Sequence, residues 1–368
     1  MKVIYITTAP APYKVEMLEI LGTYCDLDVV FEKNSESYRE DSWLRTDFKN
    51  FKAHFLKGIR IKDSIISWDI ISLIKKNRYD CIIVGVYSTP SELLSQVYFW
   101  IHKIPYVLSS DGGFVKKEKR IAYLIKTFFI SKATYYLSPN ESSSTYLMHY
   151  GARKENIYLY PFSSVKESEI LSSPDSFEVR KAFKEKNRMS EKYSVLFVGQ
   201  IIPRKGIDIL IKSAKRLSDI GVYLVGGSIT EEYKRLIEQF DITNIHFIGF
   251  KDKNNLADYY RASDVFVLPT REDVWGLVVN EAMSFGLPVI TTSKCNAGIE
   301  MIKNENVGTI LKNNNEKELA DSILSWVNKR NKDNDEEVLS IAKMYTIEKC
   351  AFAHYEIIKK LFGEGNLK

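Results

Sequence analysis

Short apolar runs rich in Val, Ile, Phe and Tyr alternate with longer amphipathic segments along the whole chain, and this alternation leaves few folds open. The first half carries strand-like runs at Val3–Thr7, Leu27–Phe31, Cys81–Val86, Tyr106–Ser109 and Thr134–Ser138. The second half carries them at Ser194–Val198, Val222–Val225, Ile245–Ile248, Val265–Leu268 and Pro288–Thr292. Helical patterns fall between them, as at Val15–Leu21, Ile207–Leu217, Thr230–Gln239 and Leu277–Ser284. Strands spaced this way by helices pair in parallel, with both faces of the sheet covered. In such sheets ligands bind in the loops at the carboxyl ends of the strands.

A chain of 368 residues is too long for one ordinary core, so two domains are expected. Val165–Lys192, dense in Ser, Lys and Glu, reads as the connection, with one helix at Phe177–Lys186. This predicts a first domain over 1–164, a linker over 165–192 and a second domain over 193–344. An amphipathic segment over 345–368 is free to pack back across the domain boundary. Four cysteines stand singly, without metal-ligand or disulfide-framework spacing. The first strand is too short for a signal peptide, and no run of about 18 apolar residues spans a membrane. A cytoplasmic location is expected. The net charge of +5 is mild, and no nucleic-acid motif accompanies it.

Two segments after the linker carry the chemistry. Pro269-Thr270-Arg271-Glu272-Asp273-Val274-Trp275-Gly276-Leu277-Val278-Val279-Asn280-Glu281-Ala282 reads as a strand end, an acidic loop and a helix start, closed further on by Gly286-Leu287-Pro288. The unpaired N–H groups near Gly276–Val278 form an anion site. Glu281 lies among apolar neighbours, where a carboxylate needs partners: ligand hydroxyls, or a nearby Lys or Arg. Asp273 faces the same place or caps the helix. The second segment, Val198-Gly199-Gln200-Ile201-Ile202-Pro203-Arg204-Lys205-Gly206, leaves a strand and enters a helix with two cations at its N-terminus. Alone it reads first as a solvated turn; two such segments about 70 residues apart, both after strands, argue against coincidence.

The first segment resembles the nucleotide-sugar motif of retaining glycosyltransferases of family four, the glycosyl transferases group 1, in which a Glu, seven intervening residues and a second Glu followed by Ala make up the pattern. The second segment resembles that family's phosphate loop, with Gln200 where the family has arginine and Lys205 at the diphosphate-binding lysine. Val225-Gly226-Gly227-Ser228 and Phe247-Ile248-Gly249-Phe250 are similar to its later turns, and the likeness covers about Ser194–Ile310. It implies the GT-B architecture, an α/β fold of two Rossmann-like domains with a deep cleft between them. It also implies a donor site built from Gly199, Gln200, Arg204, Lys205, Phe250, Glu272, Asp273, Trp275, Gly276, Leu277, Val278 and Glu281. In that scheme Glu281 holds the ribose hydroxyls. Asp273, an Asp where the family has Glu, contacts the sugar, with Glu272 able to share that role. The donor is a nucleotide-sugar co-substrate, with UDP as the nucleotide and neither cofactor nor metal. The anomeric configuration is retained, and the setting is bacterial surface-polysaccharide synthesis on a glycan or lipid-linked acceptor.

The first half resembles the family only loosely. Its cleft-facing loops are Thr7–Tyr13, with Pro12 and Tyr13 opening a helix, and Ser109-Ser110-Asp111-Gly112-Gly113. Asp111 is either a group near the reacting anomeric carbon or the centre of a tight turn that bonds backbone N–H groups. Residues 115–132 interleave six cations with apolar side chains against one acid, Glu118. That pattern fits either a solvated face or a surface that docks on anionic lipid. Asp26-Leu27-Asp28 has the spacing of metal-dependent transferases but sits at the start of a strand rather than after one and is discounted. The competing functional readings are a nucleotide-sugar epimerase of similar fold and a non-catalytic nucleotide-sugar-binding scaffold.

Overall fold

The structure, a computed structural model, describes residues 1–32, 48–61, 64–85 and 89–363. Val86, at the end of one expected strand, and 364–368 of the C-terminal segment lie outside the described residues. Contacts divide the chain into two units, Met1–Ser164 together with the segment from Thr346 on, and Val165–Tyr345.

The first unit is built on a seven-stranded sheet of β1 (Lys2–Thr7), β2 (Asp26–Phe31), β3 (Lys52–Phe55), β6 (Cys81–Val84), β7 (Val107–Ser109), β8 (Tyr135–Ser138) and β9 (Ile157–Leu159). Between β3 and β6, the strands β4 (Ile59–Ile61) and β5 (Ser64–Ile66) form a separate antiparallel pair. The sheet order is β3-β2-β1-β6-β7-β8-β9, parallel throughout. The order reverses at β1, so the crevice beyond its carboxyl end lies next to the loops after β1 and β6. Val3, Ile4, Tyr5 and Ile6 are buried, as a central strand covered on both faces requires.

The second unit has six strands: β10 (Tyr193–Gly199), β11 (Ile220–Gly226), β12 (Ile245–Gly249), β13 (Val265–Leu268), β14 (Val289–Thr292) and β15 (Gly308–Leu311). Their order is β12-β11-β10-β13-β14-β15, again all parallel. Here the reversal falls between β10 and β13, the two strands that lead into the two sequence motifs. The expected strands therefore form with ends shifted by a residue or two. β3, β9 and β15 were not expected; each is three or four residues long, and β3 and β9 close the edges of the first sheet, where partly exposed side chains weaken the apolar signal.

Residues 165–192 are more than a connection, because they pack with the second unit. Their helix, Phe177–Lys186, is capped by the Ser176 hydroxyl. Asp175 accepts from Nε and Nη2 of the Arg261 guanidinium at 2.7 and 2.6 Å, Lys184 meets Asp264 at 2.8 Å, and the Leu171 N–H reaches the Ser284 carbonyl at 3.0 Å. Polar bonds of this kind leave no apolar periodicity to read. At the other end the helix Ile347–Phe362, capped by Thr346, returns the chain to the first unit and lies against the helix Pro12–Leu21.

Candidate functional site

In the second unit the loops after β10 and β13 are locked together by backbone and side chain. The Arg204 carbonyl accepts from the Arg271 N–H at 2.8 Å and from the Thr270 hydroxyl at 3.0 Å. In return the Arg204 guanidinium donates to the Glu272 carbonyl at 2.7 Å. Arg271 donates to the Pro203 carbonyl at 2.6 Å and grips the Asp208 carboxylate with two bonds of 2.8 and 2.7 Å. That grip holds the Asp208 carboxyl below its usual range despite the opposing cost of burial, and it holds the Arg271 guanidinium in the charged state. Gly206 makes this approach possible. Its φ of +73° lies in the left-handed region, and a side chain there would run into the Pro269 carbonyl.

The lock brings Lys205 onto Asp273. The ammonium and carboxylate form an ion pair, with side chains only 11% and 14% exposed, and the Arg204 guanidinium stands 4.0 Å from the other carboxylate oxygen. Asp273 does not cap the helix; its partner is the lysine of the other motif. Its own N–H is fixed to the Lys294 carbonyl at 2.7 Å.

The helix Leu277–Ser284 starts two residues further on from Trp275, with Gly276 at its N-cap in the left-handed region (φ +98°). The Val279 N–H turns back to the Gly276 carbonyl at 2.8 Å, and those of Leu277 and Val278 belong to the first turn, which has no intrahelical acceptor. Trp275 lies inside the loop that precedes this helix. It is 3% exposed, its indole N–H bonds the Asn280 side chain at 2.8 Å, and its carbonyl accepts from the Ala297 N–H at 2.8 Å. It braces the loop from below. Glu281, one turn into the helix, accepts from the Tyr260 hydroxyl at 3.0 Å. Burial, reinforced by the Glu281 charge, pushes that phenol well above its ordinary pKa, so it remains a donor. Tyr260 is the partner the sequence left unassigned, although it stands in the run that enters β13. Gly199 ends β10 and Gln200 follows it, and Phe250 is exposed just beyond β12.

In the first unit Pro12 occupies the first turn of the helix Pro12–Leu21, and the Tyr13 ring meets Phe162 edge-on at 5.9 Å. Asp111 is held neither as a bare turn nor by backbone N–H groups alone: it takes the Lys14 ammonium at 3.0 Å. Lys14 is buried among the rings of Tyr5, Tyr13 and Phe162, whose centroids lie 5.9, 5.8 and 5.5 Å away. Burial opposes its charge, but the Asp111 carboxylate and the surrounding phenols outweigh that, and its pKa lies well above the usual value. Gly112 bonds the Ser110 hydroxyl through its N–H at 3.2 Å. His354, from the C-terminal helix, is buried against Tyr160, with ring centroids 4.5 Å apart, and burial lowers its pKa to about 4.

On the helix Arg120–Ser131 the side chains of Ile121, Leu124 and Ile125 are 73%, 54% and 52% exposed. Lys119 and Arg120 are exposed beside them, while Glu118 is taken by Lys126 at 2.6 Å. Trp100, also exposed, packs edge-on against Phe128 at 5.4 Å under the Lys132 ammonium. No helix among the described residues is long and apolar enough to cross a membrane.

Two parallel-sheet units, one with cations, carboxylates and a helix N-terminus gathered at its topological switch point, define the GT-B class. Residues 178–337 match the model of the glycosyl transferases group 1 family. Among curated relatives, lipopolysaccharide glucosyltransferase WaaG of Escherichia coli K12 is 28% identical over 173 residues, covering 44% of each chain. An uncharacterized 41.2 kDa protein in the cps region of Klebsiella pneumoniae is 25% identical over 236 residues, 61% of this chain and 63% of that one. The chain spans about half the length of the curated relatives it matches. Among solved structures, Anabaena Alr3699/HepE in complex with UDP superposes with a TM-score of 0.78 at 15% identity, over 98% of this chain and 100% of that one.

Proposed function

We propose that the protein is a retaining glycosyltransferase that moves a sugar from a nucleotide-diphosphate donor, with UDP as the nucleotide, to a glycan or lipid-linked acceptor. The observation that carries this reading is the meeting of Lys205 with Asp273 beside the first turn of the helix Leu277–Ser284. It gathers in one place a cation for a diphosphate, N–H groups for an anion and a carboxylate for sugar hydroxyls. Glu281, one turn further, supplies a second carboxylate to the site, for the ribose. Cleaving a glycosyl–diphosphate bond builds negative charge on the departing oxygens, and groups already fixed around them accelerate the step most. Lys205, Arg204 and the N–H groups of Leu277 and Val278 serve that charge. The departing phosphate accepts the proton of the attacking hydroxyl from the same face, which retains the anomeric configuration and requires neither a protein nucleophile nor a metal.

The family match and the two named bacterial relatives, one a lipopolysaccharide glucosyltransferase and the other encoded in a cps region, support a role in surface-polysaccharide assembly. The exposed apolar face of Arg120–Ser131 with its flanking cations supports peripheral contact with an anionic membrane, where a lipid-linked acceptor would lie. Incubation with UDP-sugars and a panel of glycan and lipid-linked acceptors tests the reading. Acceptor-dependent release of UDP, with the new linkage carrying the donor's anomeric configuration by NMR, is the expected result. Interconversion of UDP-sugars without acceptor, or binding without turnover across the panel, would contradict it.

A further inference from the structure

The Lys205–Asp273 pair sets two expected duties of the site against each other. The ammonium suited to the donor diphosphate is already taken by the carboxylate suited to the donor sugar, and both are largely buried. Asp273 is the fixed partner, because its N–H is tied to the Lys294 carbonyl and the preceding Glu272 carbonyl is tied to Arg204. Lys205 is the adaptable one, with a long stem and three protons to share. A carboxylate beside a diphosphate site also bears the same sign of charge as the incoming ligand, which at a few ångströms and low solvent exposure is costly.

We propose that Asp273 acts as a charge gate that favours the sugar-loaded donor over the spent nucleoside diphosphate. This rests on the donor-site reading above. When a nucleotide-sugar enters, the sugar hydroxyls donate to Asp273 and replace the ammonium, and Lys205 turns to the diphosphate. When the nucleotide is bare, nothing replaces Lys205 at the carboxylate. Asp273 then both competes for the lysine and repels the phosphates. After transfer the site returns to this unfavourable arrangement, Lys205 is recaptured, and the product nucleotide leaves. The same carboxylate thereby contributes to sugar recognition and to product release, which an Asn in its place would separate.

Calorimetric titration of UDP and UDP-glucose into the parent, Asp273→Asn and Asp273→Ser tests the gate. The uncharged variants bind UDP about tenfold more tightly than the parent, the scale of one partly screened like-charge contact removed. The ratio of UDP-glucose to UDP affinity falls with it, and inhibition of turnover by added UDP deepens. Asp273→Ser carries the same test if the Asn variant does not fold, with circular dichroism as the check. UDP affinity equal to or weaker than the parent's overturns the gate while leaving the donor site standing. A parent that binds neither UDP nor UDP-glucose overturns the donor-site reading and the gate together.

Discussion

Lys205 is buried beside Asp273 and is held there by bonds that other residues make. Removing its ammonium should therefore leave the loop in place and subtract charge stabilisation from the leaving group. Lys205→Met is expected to lower kcat by more than it weakens donor-sugar discrimination, on the scale of about 10- to 150-fold for a lost charge-assisted bond of roughly 1.5–3 kcal/mol. Steady-state kinetics with two donor sugars checks this; unchanged kcat with lost discrimination would reverse the assignment. His354 supplies a pH prediction. Its Nδ1–H donates to the Cys350 carbonyl at 2.8 Å, and its Nε2 has no partner among the described residues. Burial lowers its pKa to about 4, against about 6.5 in an unfolded chain. Above the unfolded value both states are neutral and nothing is lost. As the pH falls from about 6.5 towards 4 the unfolded state binds the proton first, so stability declines, by at most about 3 kcal/mol from this residue. Urea unfolding at pH 7 and pH 4.5 should show that loss in the parent and less of it in His354→Asn.

The elements that carry the site were legible to different degrees. The helix Leu277–Ser284 and the strand β13 formed with the boundaries that their residues imply, because Val265–Leu268 is uniformly apolar and Gly276 and Gly286 mark the two ends of the helix. The charged residues were legible as a group, since two motifs after adjacent strands must share a switch point. Their pairing was not. Which carboxylate meets Lys205, and that the Tyr260 phenol reaches Glu281, depend on contacts across 68 and 21 residues of chain. Lys14 was missed for a related reason: a cation in the first turn of a helix opposes the helix dipole and reads as a solvated side chain until Asp111 is brought to it. Gly206 joins the two motif loops, so Gly206→Ala should destabilise the second unit by about 1–3 kcal/mol through the left-handed backbone and the contact with Pro269. A melting temperature within a degree of the parent would show that the loop yields freely. The helix Arg120–Ser131 makes a separate prediction. Leu124→Glu and Ile125→Glu together should weaken sedimentation with vesicles containing anionic phosphatidylglycerol several-fold and leave nucleotide binding unchanged. Equal recovery of parent and variant with the vesicles would remove the membrane contact from the account.

At the scale of the whole molecule, the alternation of strand and helix was enough to give two parallel sheets, and the switch point of the second sheet was enough to locate the motifs. The division of the chain was less legible. Val165–Lys192 lacks apolar periodicity because it is fastened to its unit by Asp175, Lys184 and the Leu171 N–H. The return of Ile347–Phe362 to the first unit depends on a helix partner more than 300 residues earlier in the chain. The central claim is that the second unit holds a nucleotide-sugar donor through Lys205, Asp273 and Glu281. Calorimetric titration of UDP, GDP and ADP, with and without magnesium, into the parent and Glu281→Ala tests it most directly. The account predicts UDP binding that does not require magnesium and that weakens by about 10- to 150-fold in the variant, the cost of charge-assisted bonds to the ribose. Binding of UDP within twofold in both proteins, or no binding of any nucleotide to the parent, would contradict it.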